Sequence, residues 1–277
     1  MEMLELLAEI QKESKALAKI FARYQRAKEG EDLKKVERFL VYLKKGLEGI
    51  KNPYLKELGE RFYREVSESL KKEKEALRER FGWELKELLA KEGKVIRGQY
   101  PDLRIGPLTL EVNFDTNLCH LYWGNKVEVI RRKMPLKPPL ILKTIQEFYR
   151  TLSVKDFNPQ VFARHLFTAY CQFLSANRCP EADRVFLVDL LPAIAFLIQG
   201  KDFREDPRRK NFKEYPRYRF SYDLYQLKNS GLREIEGYTF FLSVATFDQT
   251  LEKRKALWVP INEEGEGVYY STITFKK

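Results

Sequence analysis

Apolar and small positions at Met3, Leu7, Ile10, Ser14, Leu17, Phe21 and Tyr24 recur in alternating steps of four and three. That spacing puts them on one seam of a helix, expected to end near Gly30. A second seam of the same steps runs Leu33, Val36, Leu40, Leu43, Leu47 and Ile50, with Gly49 and Pro53 closing it. Beyond Pro53, the positions Leu58, Phe62, Val66, Leu70, Leu77, Phe81, Leu85 and Leu88 keep helical spacing up to Gly93. Charged neighbours such as Lys71, Lys72, Glu73, Lys74 and Glu75 form a solvated face with pairs at i, i+4. The breaks at Gly30 and Asn52-Pro53 leave connectors of only a few residues, so neighbouring helices fold back antiparallel. Residues 1–92 are therefore expected to be an N-terminal antiparallel, coiled-coil-like arm. It either packs on itself as a small bundle or offers a seam to a protein partner or a second copy.

The period changes at Gly93. Val95-Ile96-Arg97, Leu108 to Phe114, Leu118 to Trp123 and Lys126 to Arg131 read as strands. Asp115-Thr116-Asn117 and Gly124-Asn125 supply hairpin turns, so residues 93–134 are expected to be an antiparallel β-meander. Met134 to Pro139 holds three prolines and reads as a linker. A helical core over residues 138–200 follows. It contains a helix from Leu140 to Leu152, then Val161 to Ala176 opened by Asn158-Pro159. Last comes the nearly all-apolar run Val185 to Ile198, expected to be the most buried helix and bent or started at Pro192. Residues 201–220 read as a basic, aromatic loop. Over 221–277, a short helix Tyr222 to Lys228 precedes strands at Tyr238 to Phe247, Ala256 to Ile261 and Val268 to Phe275. The fold class is α+β, with the arm as one domain and residues 93–277 as a mixed body.

Composition adds a partner to this picture. Lys plus Arg outnumber Asp plus Glu by 51 to 40, a formal charge of +11 that favours a polyanion such as nucleic acid. Charged residues reach 33%, above the roughly 25% of typical soluble domains, a usage that resembles thermophile proteins. Cys119, Cys171 and Cys179 are too few and too irregular for a disulfide framework, which points to a reducing compartment. With His120 and His165 the only histidines, a Cys/His zinc site is not expected, and neither is any other metal or cofactor. The start Met1-Glu2-Met3-Leu4-Glu5 lacks the order of a signal peptide. No apolar run reaches the ~18 residues of a membrane span. The expected location is cytoplasmic, without a membrane partner.

The distribution of charge singles out residues 201–220. There Arg204, Arg208, Arg209, Lys210, Lys213, Arg217 and Arg219 alternate with Phe203, Phe212, Tyr215, Tyr218 and Phe220. Cations neutralise phosphates and ring faces stack on bases, so a nucleic-acid contact is expected through the basic residues with Tyr215 and Tyr218. The competing reading has the aromatics anchor the loop to the core while the cations are simply solvated. The order of the helices at 158–177, 185–199 and 222–229, followed by strand hairpins, resembles a winged helix. That resemblance implies a last helix in the major groove, offering Gln226, Lys228 and Asn229 to bases, and favours DNA over RNA.

One catalytic pattern stands beside this. Tyr100-Pro101-Asp102 followed by Leu110-Glu111-Val112-Asn113 resembles the core of PD-(D/E)xK nucleases. The resemblance implies Asp102 and Glu111 as ligands of a divalent metal and a lysine that orients the attacking water. Asn113 stands where that basic residue belongs and cannot supply its charge. The alternative is that Pro101-Asp102 makes a turn and Glu111 faces solvent on an alternating strand. Cys119 and His120 point to opposite faces of one strand, which excludes them as a nucleophile pair. No Gly-rich phosphate loop exists, so no nucleotide-driven motor is encoded. The readings carried forward are a nucleic-acid-binding accessory or scaffold subunit of a larger DNA- or RNA-processing complex, a metal-dependent nuclease, and a purely structural adaptor.

Overall fold

The computed structural model describes residues 2–29, 33–152 and 157–277 of a mixed α+β chain. It divides into two compact units, residues 1–84 with 114–116, and residues 85–113 with 117–277. No helix among the described residues is long and apolar enough to cross a membrane.

The first unit holds α1 (Glu2–Glu29), α2 (Leu33–Glu48) and most of α3 (Pro53–Lys91), which runs on into the second unit. The helix end expected near Gly30 lies outside the described residues. Asn52 caps α3 by accepting from Leu55 N at 3.1 Å, and Pro53 takes the first helical position, where its missing N–H costs nothing. Glu13 of α1 accepts from the backbone N–H of Lys51 at 2.8 Å and of Asn52 at 3.2 Å, pinning the α2–α3 corner. Both apolar seams meet in a core of Leu17, Phe39, Leu40, Leu43, Leu47 and Val66, with Phe21, Tyr24, Phe39 and Phe62 packed edge to face or tilted. The seam of α1 is buried only from Leu17 onward. Met3, Leu4, Leu6 and Leu7 are exposed, Met3 at 72%, and Ser14 is exposed as well.

In the second unit, five strands form a meander in chain order: β1 (Ile96–Gln99), β2 (Asp102–Ile105), β3 (Leu108–Asn113), β4 (Leu118–Trp123) and β5 (Glu128–Pro135). Its inner face is Leu103, Ile105, Leu108, Leu110, Val112, Cys119, Leu121 and Trp123, the alternation expected of a half-buried sheet. Asp102 does not sit in a turn: it opens β2 and pairs with Glu111, giving a strand of four residues bounded by Pro101 and Gly106. The stretch from Met134 is no linker either. β5 continues through Pro135, where an edge position tolerates the missing donor, and α4 (Pro138–Leu152) starts at once with prolines in its first turn. Ile141, Ile145, Phe148 and Leu152 form the buried stripe of α4.

Helix α5 (Pro159–Asn177) begins as its sequence dictates, with Asn158 Oδ1 accepting from Gln160 N and Val161 N. The apolar run at 185 corrects the expectation of one buried helix. Val185–Phe186 is a strand, β6, and only Leu187–Leu197 is helix, α6, with Pro192 inside it. Leu187, Leu190 and Ile194 are buried at spacings of three and four, whereas Phe196 is 62% exposed, because only one face of α6 meets the core. The loop expected over 201–220 is partly helical, with α7 (Lys201–Glu205), a 3-10 turn at Arg209–Asn211, and α8 (Arg217–Asn229) starting directly after Pro216.

Strands β7 (Glu234–Ile235), β8 (Tyr238–Val244), β9 (Leu257–Pro260) and β10 (Gly267–Lys276) complete the unit, with a one-turn helix α9 (Phe247–Thr250) between β8 and β9. The second sheet has the order β6-β10-β8-β7, and β9 also pairs with β10. Strand β10 pairs with the short β6 as well as with β8, which ties both into the sheet of this unit. Its core joins Phe162, Leu166, Leu187, Leu190, Phe220, Leu224, Ile273 and Phe275.

The two sheets of this unit touch through their turns. Gly106 between β2 and β3 and Gly265 between β9 and β10 both have positive φ, and a Cβ on Gly265 would lie 1.8 Å from Gly106 O. Only glycine permits so close a backbone approach.

Candidate nucleic-acid interface

Residues 199–213 leave the core as a braced segment. The side chain of the buried Gln199 donates to Lys213 O at 2.9 Å and accepts from Lys213 N at 2.8 Å, imitating a strand pairing. Asn211 Nδ2 donates to Asp206 O at 2.9 Å, and Arg204 donates to Leu197 O at 3.2 Å. Phe196, Phe203 and Phe212 close a triangle with ring centroids 5.4 to 6.3 Å apart. Gln199 was not singled out from the sequence, and a lone amide between apolar and basic stretches gives little to find it by.

The nine expected contact residues fall into two sets. Arg204, Arg208, Arg209, Lys210 and Lys213 are exposed. Arg208 pairs with Asp206 two residues away, at 2.8 Å. Among the described residues, Arg209, Lys210 and Lys213 have no ion-pair partner. The other four turn inward. Arg217 donates to Glu128 at 2.6 Å and to Ala256 O at 2.9 Å. Arg219 pairs with Asp223 at 3.0 Å and caps the end of α4 through Thr151 O and Leu152 O. Tyr215 donates to Asp223 at 2.7 Å, and Tyr218 packs on Phe148. None of the five rings of the segment is exposed; they anchor it. Burial pushes the Tyr215 phenol well up and raises Asp223, with Arg219 and Tyr215 pulling Asp223 back down.

Helix α8, in the place of a recognition helix, is likewise covered. Phe220, Ser221, Leu224 and Leu227 are buried, and Lys228 bonds to the hydroxyl of Tyr270 and stands over its ring. Of the expected base readers only Asn229 is exposed.

A second basic stretch escaped the sequence reading. From Val129 to Gln146 there are five cations and no acid, and Arg131, Arg132, Lys133 and Lys137 are exposed. Arg132 and Lys133 lie opposite His120 where the β4–β5 register shifts, with Lys133 at φ 54. This bulge on an edge strand turns cations outward. The charge run itself was the available signal.

Asp102 and Glu111 are brought together as cross-strand partners, and the structure adds Lys126. Its ammonium lies 2.8 Å from Asp102 and 2.6 Å from Glu111, while Tyr122 donates to Glu111 at 3.0 Å. Lys126, held in a turn at φ 59, was missed because no local spacing links it to either acid. The Lys126 ammonium, ahead of the Tyr122 hydroxyl, holds the Glu111 carboxyl below its ordinary range, and the two carboxylates raise Lys126. One ammonium thus lies between the two carboxylates and pairs with both. Among the described residues no group of three His, Cys, Asp or Glu stands together to hold a metal. The constellation is an ion-pair cluster of two carboxylates and one ammonium on the outer face of the meander. Cys119, on the inner face, is buried, which pushes its thiol up to about 12 and leaves it unreactive.

Comparison with known protein families, characterised proteins and solved structures finds no match to this chain.

Proposed function

We propose that this protein binds nucleic acid through sequence-independent phosphate contacts, as a cytoplasmic accessory or scaffold subunit of a larger DNA- or RNA-processing assembly, with DNA the favoured ligand. The observation that carries this reading is the placement of Arg209, Lys210 and Lys213 on a braced segment, exposed and outside any ion pair among the described residues. Fixed cations meet phosphates without first losing an ion pair or ordering a loop. The basic run Arg131-Arg132-Lys133 extends the same chemistry on the meander edge. The expected recognition helix α8 is covered, so the reading rests on the loop cations and not on a helix in the major groove.

The test is salt dependence. Arg209→Ala with Lys210→Ala should lower the slope of log affinity against log salt by about 2, near 0.9 for each duplex phosphate no longer neutralised. Titrating a labelled duplex and a labelled single strand at several salt concentrations measures it. An unchanged slope in a variant that melts like the parent removes the proposed surface.

The arm supplies the partner-facing side of this role. Met3, Leu4, Leu6 and Leu7 leave an apolar stretch of α1 uncovered. Leu4→Lys with Leu7→Lys should shift the sedimentation coefficient to the monomer value if this stretch pairs copies of the chain. A parent that already sediments as a strict monomer at every concentration excludes self-association.

A further inference from the structure

The rings of the 201–220 segment are packed inward and none of them is exposed. Within the second unit, a cavity of about 410 Å³ is lined by Tyr149 of α4, Tyr222 and Tyr225 of α8, Lys94, and Glu263 of the β9–β10 turn. Gly106, which meets Gly265 backbone to backbone, and the Arg97–Glu264 ion pair at 2.9 Å also line it. Tyr222 and Tyr225 stand side by side, centroids 5.9 Å apart and planes inclined by 36°. Lys94 Nζ lies 3.9 Å from the centroid of Tyr149, over its face.

Half-buried tyrosines present an apolar ring beside a polar hydroxyl. The three tyrosines are half-buried and Glu263 is exposed, and among the described residues none of the hydroxyls donates to a protein acceptor, so all of them stay open to solvent or a ligand. The lining therefore combines ring surface with unmet donors and acceptors. A purely apolar ligand would leave those polar groups unpaired. A quaternary ammonium would compete with Lys94, which already holds the cation position over Tyr149. A flat heterocycle with a polar edge satisfies both demands, and the volume lies within the range of small-molecule sites.

We infer that this cavity is a nucleobase site, taking one purine or pyrimidine ring against Tyr222 and Tyr225, with its edge met by the phenol hydroxyls and Glu263. Lys94 supplies a cation for an attached phosphate. The base comes either from a free nucleotide or from an unstacked position of a strand. The inference goes beyond the phosphate surface and does not depend on it.

The full chain, with Arg209 and Lys210 intact, is titrated calorimetrically with AMP, GMP, CMP and UMP and with a short single-stranded oligothymidine. Saturable binding is expected, weakened about ten-fold by Tyr225→Leu through the loss of ring stacking. The double change Tyr149→Phe with Tyr222→Phe keeps every ring and is expected to weaken binding and alter the preference among the four bases. Weakened mononucleotide binding identifies a free nucleotide, and an effect confined to the oligonucleotide identifies a base of a strand. The proposal is overturned if no probe binds saturably, or if both sets of changes leave every affinity as it was in variants with the parent melting curve. Because the phosphate surface is tested by its salt slope, its failure and the failure of this site are read separately.

Discussion

Arg219→Ala is expected to destabilise the second unit by about 3–5 kcal/mol, the cost of stripping one partner from a buried ion pair. Arg219 and Asp223 are 13% and 7% exposed, so solvent cannot replace the missing guanidinium. The guanidinium uses its fork twice: Nε faces Asp223 at 3.0 Å, and one terminal nitrogen donates to Thr151 O at 2.8 Å and Leu152 O at 2.7 Å. Those carbonyls end α4 and carry the negative pole of its dipole, which a cation there favours. Without Arg219, Asp223 keeps the Tyr215 hydroxyl and the weaker pull of the Lys213 charge, while burial drives its carboxyl toward the neutral form. Thermal or urea unfolding measures the loss. The double change Arg219→Met with Asp223→Leu should be milder than Arg219→Ala, because no uncompensated charge stays buried. If the double variant is the weaker of the two, the ion pair is not the source of the effect.

The same residue shows how far the sequence could be read. The arm was legible because its seams follow the helical period and its corner carries Asn52-Pro53, local signals that packing did not override. The meander turns at Asp115-Thr116-Asn117 and Gly124-Asn125 were legible for the same reason. β2 and β6 were not, since Asp102–Ile105 follows Pro101 and mixes charged with apolar residues, and Val185–Phe186 is a two-residue strand inside an apolar run; both exist through their partners. In the segment 201–220, composition marked the cations correctly as a group but could not divide them. Whether an arginine faces solvent or a carboxylate depends on Glu128, 89 positions from Arg217, and on helix ends 67 and 68 positions from Arg219. Lys126 joined Asp102 and Glu111 by the same non-local route, as the shared partner of both carboxylates.

Trp123→Ala should cost the second unit about 3–5 kcal/mol, the range for truncating a large buried aromatic. Trp123 is fully buried on β4 and touches Phe148 of α4, Tyr222 of α8 and Trp258 of β9, so one side chain joins the meander to both helices and the second sheet. Its indole N–H donates to Ser221 Oγ at 2.9 Å, and Ser221 in turn donates to Trp258 O at 2.5 Å. This relay satisfies the polar atoms of a dry interface. Trp123→Phe keeps most of the ring packing and removes only the donor to Ser221, whose hydroxyl still reaches Trp258 O. It should therefore cost about 1 kcal/mol. Denaturant unfolding followed by near-UV circular dichroism separates the two variants. Ring fluorescence alone would mix in Trp83, which is 67% exposed on α3. Equal losses from Ala and Phe would place the energy in the hydrogen-bond relay. The expected ratio places it in the packing of the indole between the two sheets, the same junction that shapes the tyrosine-lined cavity beside it.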